Sequence, residues 1–374
     1  PTNTDLTWKV VVNGTSVTKV QEYSTKYSLY HPSSVDIDNN PENETFGLIL
    51  VNEAMHKVKD ISGYLSTGYG AGIYAFNPAF EDTGKYNGDK TFSTATNMFA
   101  PRRVRISDDG RIFATAQDGS GEYLWEINPK DLSQWTNVFQ GTNAGYTLKD
   151  GSGKFVAGTN AGFDVRGEGE NLQLLMLSAD KPGAQVANFK CHIYNLGTAT
   201  TWSTAPTTEV TGADYMLVTN QSNAQFDKDG GVWYIQYRST TTDAEPGLVH
   251  INKNGVEDFK WLRHNTRNAG FRFNHDFTKV AIADASFVNF YAVSKDANGK
   301  PVFTWESGFS LQTIGTQIND FAWDYADNFY SVGHNKEKAV AYRLPYSGEV
   351  TTPAASKYTF RVEYEVTVDE NADN

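Results

Sequence analysis

Short runs of apolar residues recur along the chain with turn residues between them. The clearest set spans Asn223 to Asn252. Ala224 and Phe226 alternate with polar neighbours, the period of a strand with one face buried. Asp227-Lys228-Asp229-Gly230-Gly231 then turns the chain, because Asp side chains bond nearby backbone N–H groups and glycine accepts positive φ. Val232-Trp233-Tyr234-Ile235 and Leu248-Val249-His250-Ile251 follow as β-branched and aromatic strands. A three-stranded sheet of this size cannot bury both faces alone. It needs neighbours of its own kind.

Five further copies supply them. Val35–Asp38 leads to Phe46–Leu50 and Gly72–Pro78; Val104–Gly110 leads to Ile112–Thr115 and Tyr123–Pro129. Phe163–Arg166 leads to Leu172–Met176 and Cys191–Asn195; Phe271–Asp276 leads to Val280–Ala283 and Phe290–Val293. Phe321–Asp324 leads to Phe329–Val332 and Val340–Pro345. The copies start roughly 47 to 69 residues apart, a spacing that predicts radially repeated sheets. Trp135–Phe139, Phe259–Leu262 and Val302–Trp305 are candidate fourth strands. The fold class expected is all-β: one β-propeller of six blades over residues 1–374, seven if the terminal strands form a sheet of their own.

Those terminal strands lie outside the copies. DLTWKVVV, the Asn13-Gly14 turn and Val17–Tyr23 predict a hairpin, and KYTFRVEYEVTV alternates near the other end. Residues 1–30 and 350–368 are therefore expected to close the ring and remove its free edges, with 369–374 a frayed tail. The first residue is Pro1 rather than Met, which suits a chain from which an export signal or an upstream domain has been removed.

Composition narrows the function classes. The net charge is −12, with 44 acidic and 32 basic residues, so a phosphate backbone is repelled and nucleic acid is not an expected partner. No stretch reaches the ~20 apolar residues of a transmembrane span. The single cysteine, Cys191, excludes internal disulfides and reads as a small buried hydrophobe. Abundant Asn, Thr, Ser, Gly and Tyr suit a protein outside the cytoplasm, whether secreted, periplasmic or lipid-anchored.

Candidate chemistry lies on the first strand of each copy. Between the apolar positions stand Asp36, Arg105, Asp164, Gln225, Arg272 and Ala322; preceding them on the same face stand Ser34, Arg103, Gly162, Asn223, Gly270 and Asp320. These positions should line a central channel. The charges either neutralise one another between sheets or form a channel mouth in which arginines bind a polar ligand as bidentate donors. The loops leading into these strands add His31, Arg102, Arg267, Asn268, Gln317 and Asn319 at one end of the channel. With Arg103, Arg105 and Asn223 they form the expected ligand-binding set. Two long loops, Asn52–Gly72 with Tyr64 and Tyr69 and Gly197–Asp214 with Trp202, offer aromatic rings that could stack on sugar faces.

No H-E-x-x-H, P-loop or G-x-S-x-G is present. Asp227-x-Asp229-Gly230 begins like a calcium loop, but no ligating Glu follows at the right distance. No metal, cofactor or catalytic residue is assigned. FDKDGGVWYIQY, ISDDGRIFATAQ and WDYADNFYSVG, followed by LVHINK, LWEINP and AYRLPY, resemble blades of NHL-like propellers. Over residues 30 to 345 the chain resembles secreted or lipid-anchored propeller proteins of unknown function from glycan-degrading gut bacteria. The resemblance implies a fold and no catalytic residue. The expected function is non-catalytic glycan binding. The alternatives are a glycoside hydrolase or polysaccharide lyase using channel carboxylates and arginines, and a protein-interaction scaffold.

Overall fold

The computed structural model describes residues 32–53, 57–59, 65–67, 72–78, 82–88, 101–118, 121–132, 134–137, 162–178, 185–186, 190–197, 208–211, 216–217, 223–236, 247–262, 270–284, 287–310, 317–335 and 338–344. The expected closing strands in 1–30 and 350–368, and the tail, lie outside these. The described residues are nearly all β, with one 3₁₀ turn at Gly169–Asn171.

Among the described residues, six antiparallel sheets of three or four strands follow one another along the chain, and we number them I to VI. Each starts with a short first strand: Pro32–Ile37, Pro101–Ile106, Phe163–Arg166, Ala224–Phe226, Phe271–Phe273 and Gln317–Trp323. Counted over the described residues, sheets I to V have four strands and sheet VI has three, each laid down in chain order. The six first strands touch one another in cyclic order, and the last touches the first. They therefore surround a common axis.

Apolar residues fill the gaps between sheets. Leu50, Ile73 and Ala75 of sheet I pack on Val104, Ile112 and Ala114 of sheet II. The neighbouring Ile49, Val51, Tyr74 and Phe76 point the other way, onto Ala322, Tyr330 and Val332 of sheet VI. Successive side chains of a strand leave opposite faces, so a strand covered on both sides is apolar throughout. Gly72–Phe76 is buried along its whole length for this reason. Similar clusters join II to III, III to IV and IV to V. Between V and VI, Phe290 meets Trp323 and Phe329 edge-on. Cys191 is buried in the III–IV cluster, and burial pushes its thiol up.

The structure corrects several boundaries. The second strand of sheet I is Ile49–Glu53 rather than Phe46–Leu50, because Gly47 takes φ 80° and holds Phe46 in the turn. The segment expected as a loop from Asn52 to Gly72 contains a small hairpin, Lys57–Lys59 paired with Leu65–Thr67. The segment from Gly197 to Asp214 contains Thr208–Thr211, the fourth strand of sheet III. Asp82–Gly88, the fourth strand of sheet I, was also not expected. These strands are rich in polar residues and carry no run of apolar alternation to mark them.

Candidate functional site

First strands need partners beyond their own sheet. Each is an edge, with one row of backbone N–H and C=O groups facing the axis. Side chains from the adjacent sheet satisfy these groups. Asp36 accepts from the Ile106 N–H at 2.8 Å, Asp164 from the Phe226 N–H at 2.8 Å, and Gln225 from the Phe273 N–H at 2.8 Å. Asn223 donates to the Phe271 carbonyl at 3.1 Å, and Trp323 to the Arg272 carbonyl at 3.0 Å. The polar residues at alternate positions thus join one sheet to the next.

Arg105 sits at the centre. Its guanidinium donates to both oxygens of Asp320, at 2.6 and 3.1 Å, to Asn223 Oδ1 at 3.2 Å and to the Phe163 carbonyl at 3.1 Å. Arg103 adds a second cation, 3.5 Å from Asp320, and Ser34 donates to the same carboxylate. All five side chains, Ser34, Arg103, Arg105, Asn223 and Asp320, are fully buried. Burial alone would raise the Asp320 pKa, but Arg105 and Arg103 outweigh it and hold the carboxyl at about 2.

A second cluster lies one level further along. Arg272 Nη1 donates to Asp164 at 3.0 Å, and its Nη2 stands 3.6 Å from Asp36. Here burial wins. Desolvation raises Asp36 to about 6, and Arg272, Arg105 and the Ile106 N–H offset it only in part. Among the described residues, the charges of Asp36, Arg105, Asp164 and Arg272 neutralise one another between sheets, the first of the two readings of the ring.

Above Asp36 and Arg272 the axis opens into a cavity of about 800 Å³ at the C-terminal ends of the first strands. Its floor is Asp36, Asp164, Gln225 and Arg272, and turns from the sheets form its wall, with Asp38, Asp108, Arg166, Asp227, His275 and Phe277 among them. Burial also holds the Asp38 and Asp108 carboxyls above their ordinary range, although each receives hydrogen bonds. The cavity borders a second one, of about 830 Å³, between sheets IV and V. His250 lies in its wall, with Nδ1 2.6 Å from Asp258, Nε2 3.2 Å from Asp227 and its ring over Trp233 at 4.5 Å. Burial lowers the His250 pKa, but the two carboxylates outweigh it and the imidazole is held above 6.5.

The expected ligand-binding set divides. Arg103, Arg105 and Asn223 are buried at the axis. Arg102, Gln317 and Asn319 lie on described strands at the N-terminal end of the axis, opposite the cavity. His31, Arg267, Asn268 and the aromatics Tyr64, Tyr69 and Trp202 lie outside the described residues. Sequence reasoning missed Arg166, His275 and Phe277. The register that located the ring could have found them, since Arg166 ends the first strand of its sheet and His275 and Phe277 lie just past theirs. Among the described residues no group of three or more His, Cys, Asp or Glu could hold a metal ion, and no helix is long and apolar enough to cross a membrane.

No protein-family model matches the chain, and no curated protein matches it. Among solved structures it is similar to the C-terminal WD40 domain of Sif2, with 11% sequence identity and a TM-score of 0.45, over 89% of this chain and 100% of that one. The likeness is distant, and the arrangement of the first strands about the axis rests on the contacts between them.

Proposed function

We propose that the chain is a six-bladed β-propeller, closed by strands from 1–30 and 350–368, that binds a hydroxyl-rich ligand, a glycan, outside the cytoplasm. One observation carries the binding reading: a cavity of about 800 Å³ on the axis, with Asp36, Asp164, Gln225 and Arg272 as its floor. Few convergent polar groups in a preformed hollow of this size are the usual make-up of a small-molecule site. Carboxylates and amides accept from sugar hydroxyls, and a guanidinium donates to them. The floor groups are also tied to neighbouring sheets, which fixes their positions in advance of a ligand. The location outside the cytoplasm is supported by composition alone.

Probing an array of plant, microbial and host glycans with the intact chain tests this reading. Binding should fall at least tenfold in Arg272→Gln with the fold retained. An array with no bound glycan would sink it.

A second reading, hydrolysis, is favoured by Asp36. A carboxyl held at about 6 is in the range of a general acid, and Arg272 places it beside a second carboxylate, Asp164. Release of new reducing ends from a bound glycan, abolished in Asp36→Asn, would establish it in place of passive binding.

A further inference from the structure

Sheets II, IV, V and VI turn from first to second strand in the same way. Gly110, Gly230, Phe277 and Asp327 donate their N–H to the carbonyl three residues back, at 2.9, 3.2, 3.2 and 3.0 Å. All four have positive φ: 78°, 100°, 62° and 61°. Glycine takes this conformation without strain and Asp tolerates it; for a bulky aromatic side chain it is a genuine outlier. Sheet V thus holds a phenylalanine where two sister turns hold glycine.

The ring it adds is placed at a junction. Asp227, Lys228, Asp229, Phe273 and Phe277 line both the axial cavity and the cavity between sheets IV and V. Phe277 stacks on Phe273, with centroids 5.2 Å apart and planes 24° apart, and stays partly exposed. Strained backbone persists where the surroundings hold it in place, and it gathers at ligand-binding sites. The two spaces, about 800 and 830 Å³, together exceed what a single drug-sized molecule fills. Both spaces set carboxylates and cations beside aromatic rings, the cations being chiefly Arg166 and Arg272 in the first and Lys253, Lys295 and Lys300 in the second.

We propose that the two cavities form one extended site for a linear oligosaccharide, running from the axis outward between sheets IV and V, with Phe277 as the apolar platform for the sugar unit that crosses the junction. The proposal rests on the glycan reading above and adds the ligand's length and path. A sugar chain presents hydroxyl edges and C–H faces in turn. Asp227, Asp229 and Asp258 meet the edges, and Phe277 meets a face.

The test is calorimetric titration of the intact chain with cello-, manno-, xylo- and malto-oligosaccharides of one to six units. Affinity should rise at least tenfold from monomer to tetramer in one series. In Phe277→Gly and Phe277→Asn, both suited to positive φ, the tetramer's advantage should shrink to about twofold or less, while each variant unfolds in a single cooperative transition. A monomer that binds as tightly as the tetramer would overturn the extended site and leave the axial site standing. A length advantage that survives in both variants would overturn the role of the ring. No binding in any series overturns the oligosaccharide, and with an empty glycan array the reading beneath it falls too.

Discussion

Arg105 and Asp320, 215 positions apart in the chain, meet at the axis through two hydrogen bonds of 2.6 and 3.1 Å. One comes from sheet II and the other from sheet VI. Neither residue is exposed to water. A contact of this kind requires the intervening sheets to have assembled around it.

Asp320→Asn is expected to destabilise the protein by roughly 3–5 kcal/mol, the usual effect of breaking a buried ion pair from one side. The substitution keeps the volume and some hydrogen bonds. It leaves Arg103 and Arg105 as two buried cations without this carboxylate. Urea unfolding at pH 7 measures the loss. A change under 1 kcal/mol would mean that water reaches the axis and screens the pair.

Gly162→Ala should also be destabilising, for a steric reason. A Cβ on Gly162 would lie 2.1 Å from the Ala224 amide nitrogen and 2.5 Å from the Asn223 carbonyl carbon. Both are backbone atoms of sheet IV, so neither can rotate away. Sheets III and IV would have to separate at the axis. Overpacking usually costs about 1–3 kcal/mol, and the rigid neighbours place this case at the upper end. Thermal unfolding of the variant checks it, and an unchanged midpoint would show that the two first strands do not approach so closely.

The same residues show how far a sequence can be read. The strands of the six copies were legible because two-sided burial makes them apolar, as in Gly72–Phe76. Turns were legible where glycine marks positive φ, as at Gly110 and Gly230. Phe277 gave no such signal, since its side chain contradicts its conformation. The alternate polar positions named the ring, but pairing across it could not be read. Arg105 reaches back to Asp320, while Arg272 lies between Asp36 and Asp164, and nothing local to either arginine states which. The outer strands Asp82–Gly88 and Thr208–Thr211 were missed because they are polar and stand furthest from the axis.

His250 is expected to titrate above the ordinary histidine value of 6.5. Burial opposes its charge, and the hydrogen bonds to Asp227 and Asp258 outweigh burial. With a carboxylate at each ring nitrogen, only the imidazolium donates to both. Stability from this raised value is fully present below pH 6.5 and is lost as pH rises through the folded value. An NMR titration following the His250 ring carbon should show the raised midpoint, and Asp258→Asn should lower it. A midpoint at or below 6.5 in the parent would mean that burial prevails over the two carboxylates.

Asp36 should give the opposite dependence from a stabilising carboxylate. Its pKa goes from 3.8 to about 6 on folding, mainly through burial. Between these values the unfolded chain has released the proton and the folded chain has kept it. Stability therefore falls as pH rises through this window and is flat above it. The full effect is roughly 3 kcal/mol. Asp320 acts in a separate range. Its lowered value contributes stability above pH 3.8 that is lost as pH falls through about 2. Asp36→Asn imitates the protonated carboxyl, so it should match the parent near pH 4 and exceed it by about 1–3 kcal/mol at pH 7. Urea midpoints at pH 4, 5, 6 and 7 resolve the difference. A gap that stays constant with pH would show Asp36 ionised throughout, with Arg272 rather than burial setting its charge.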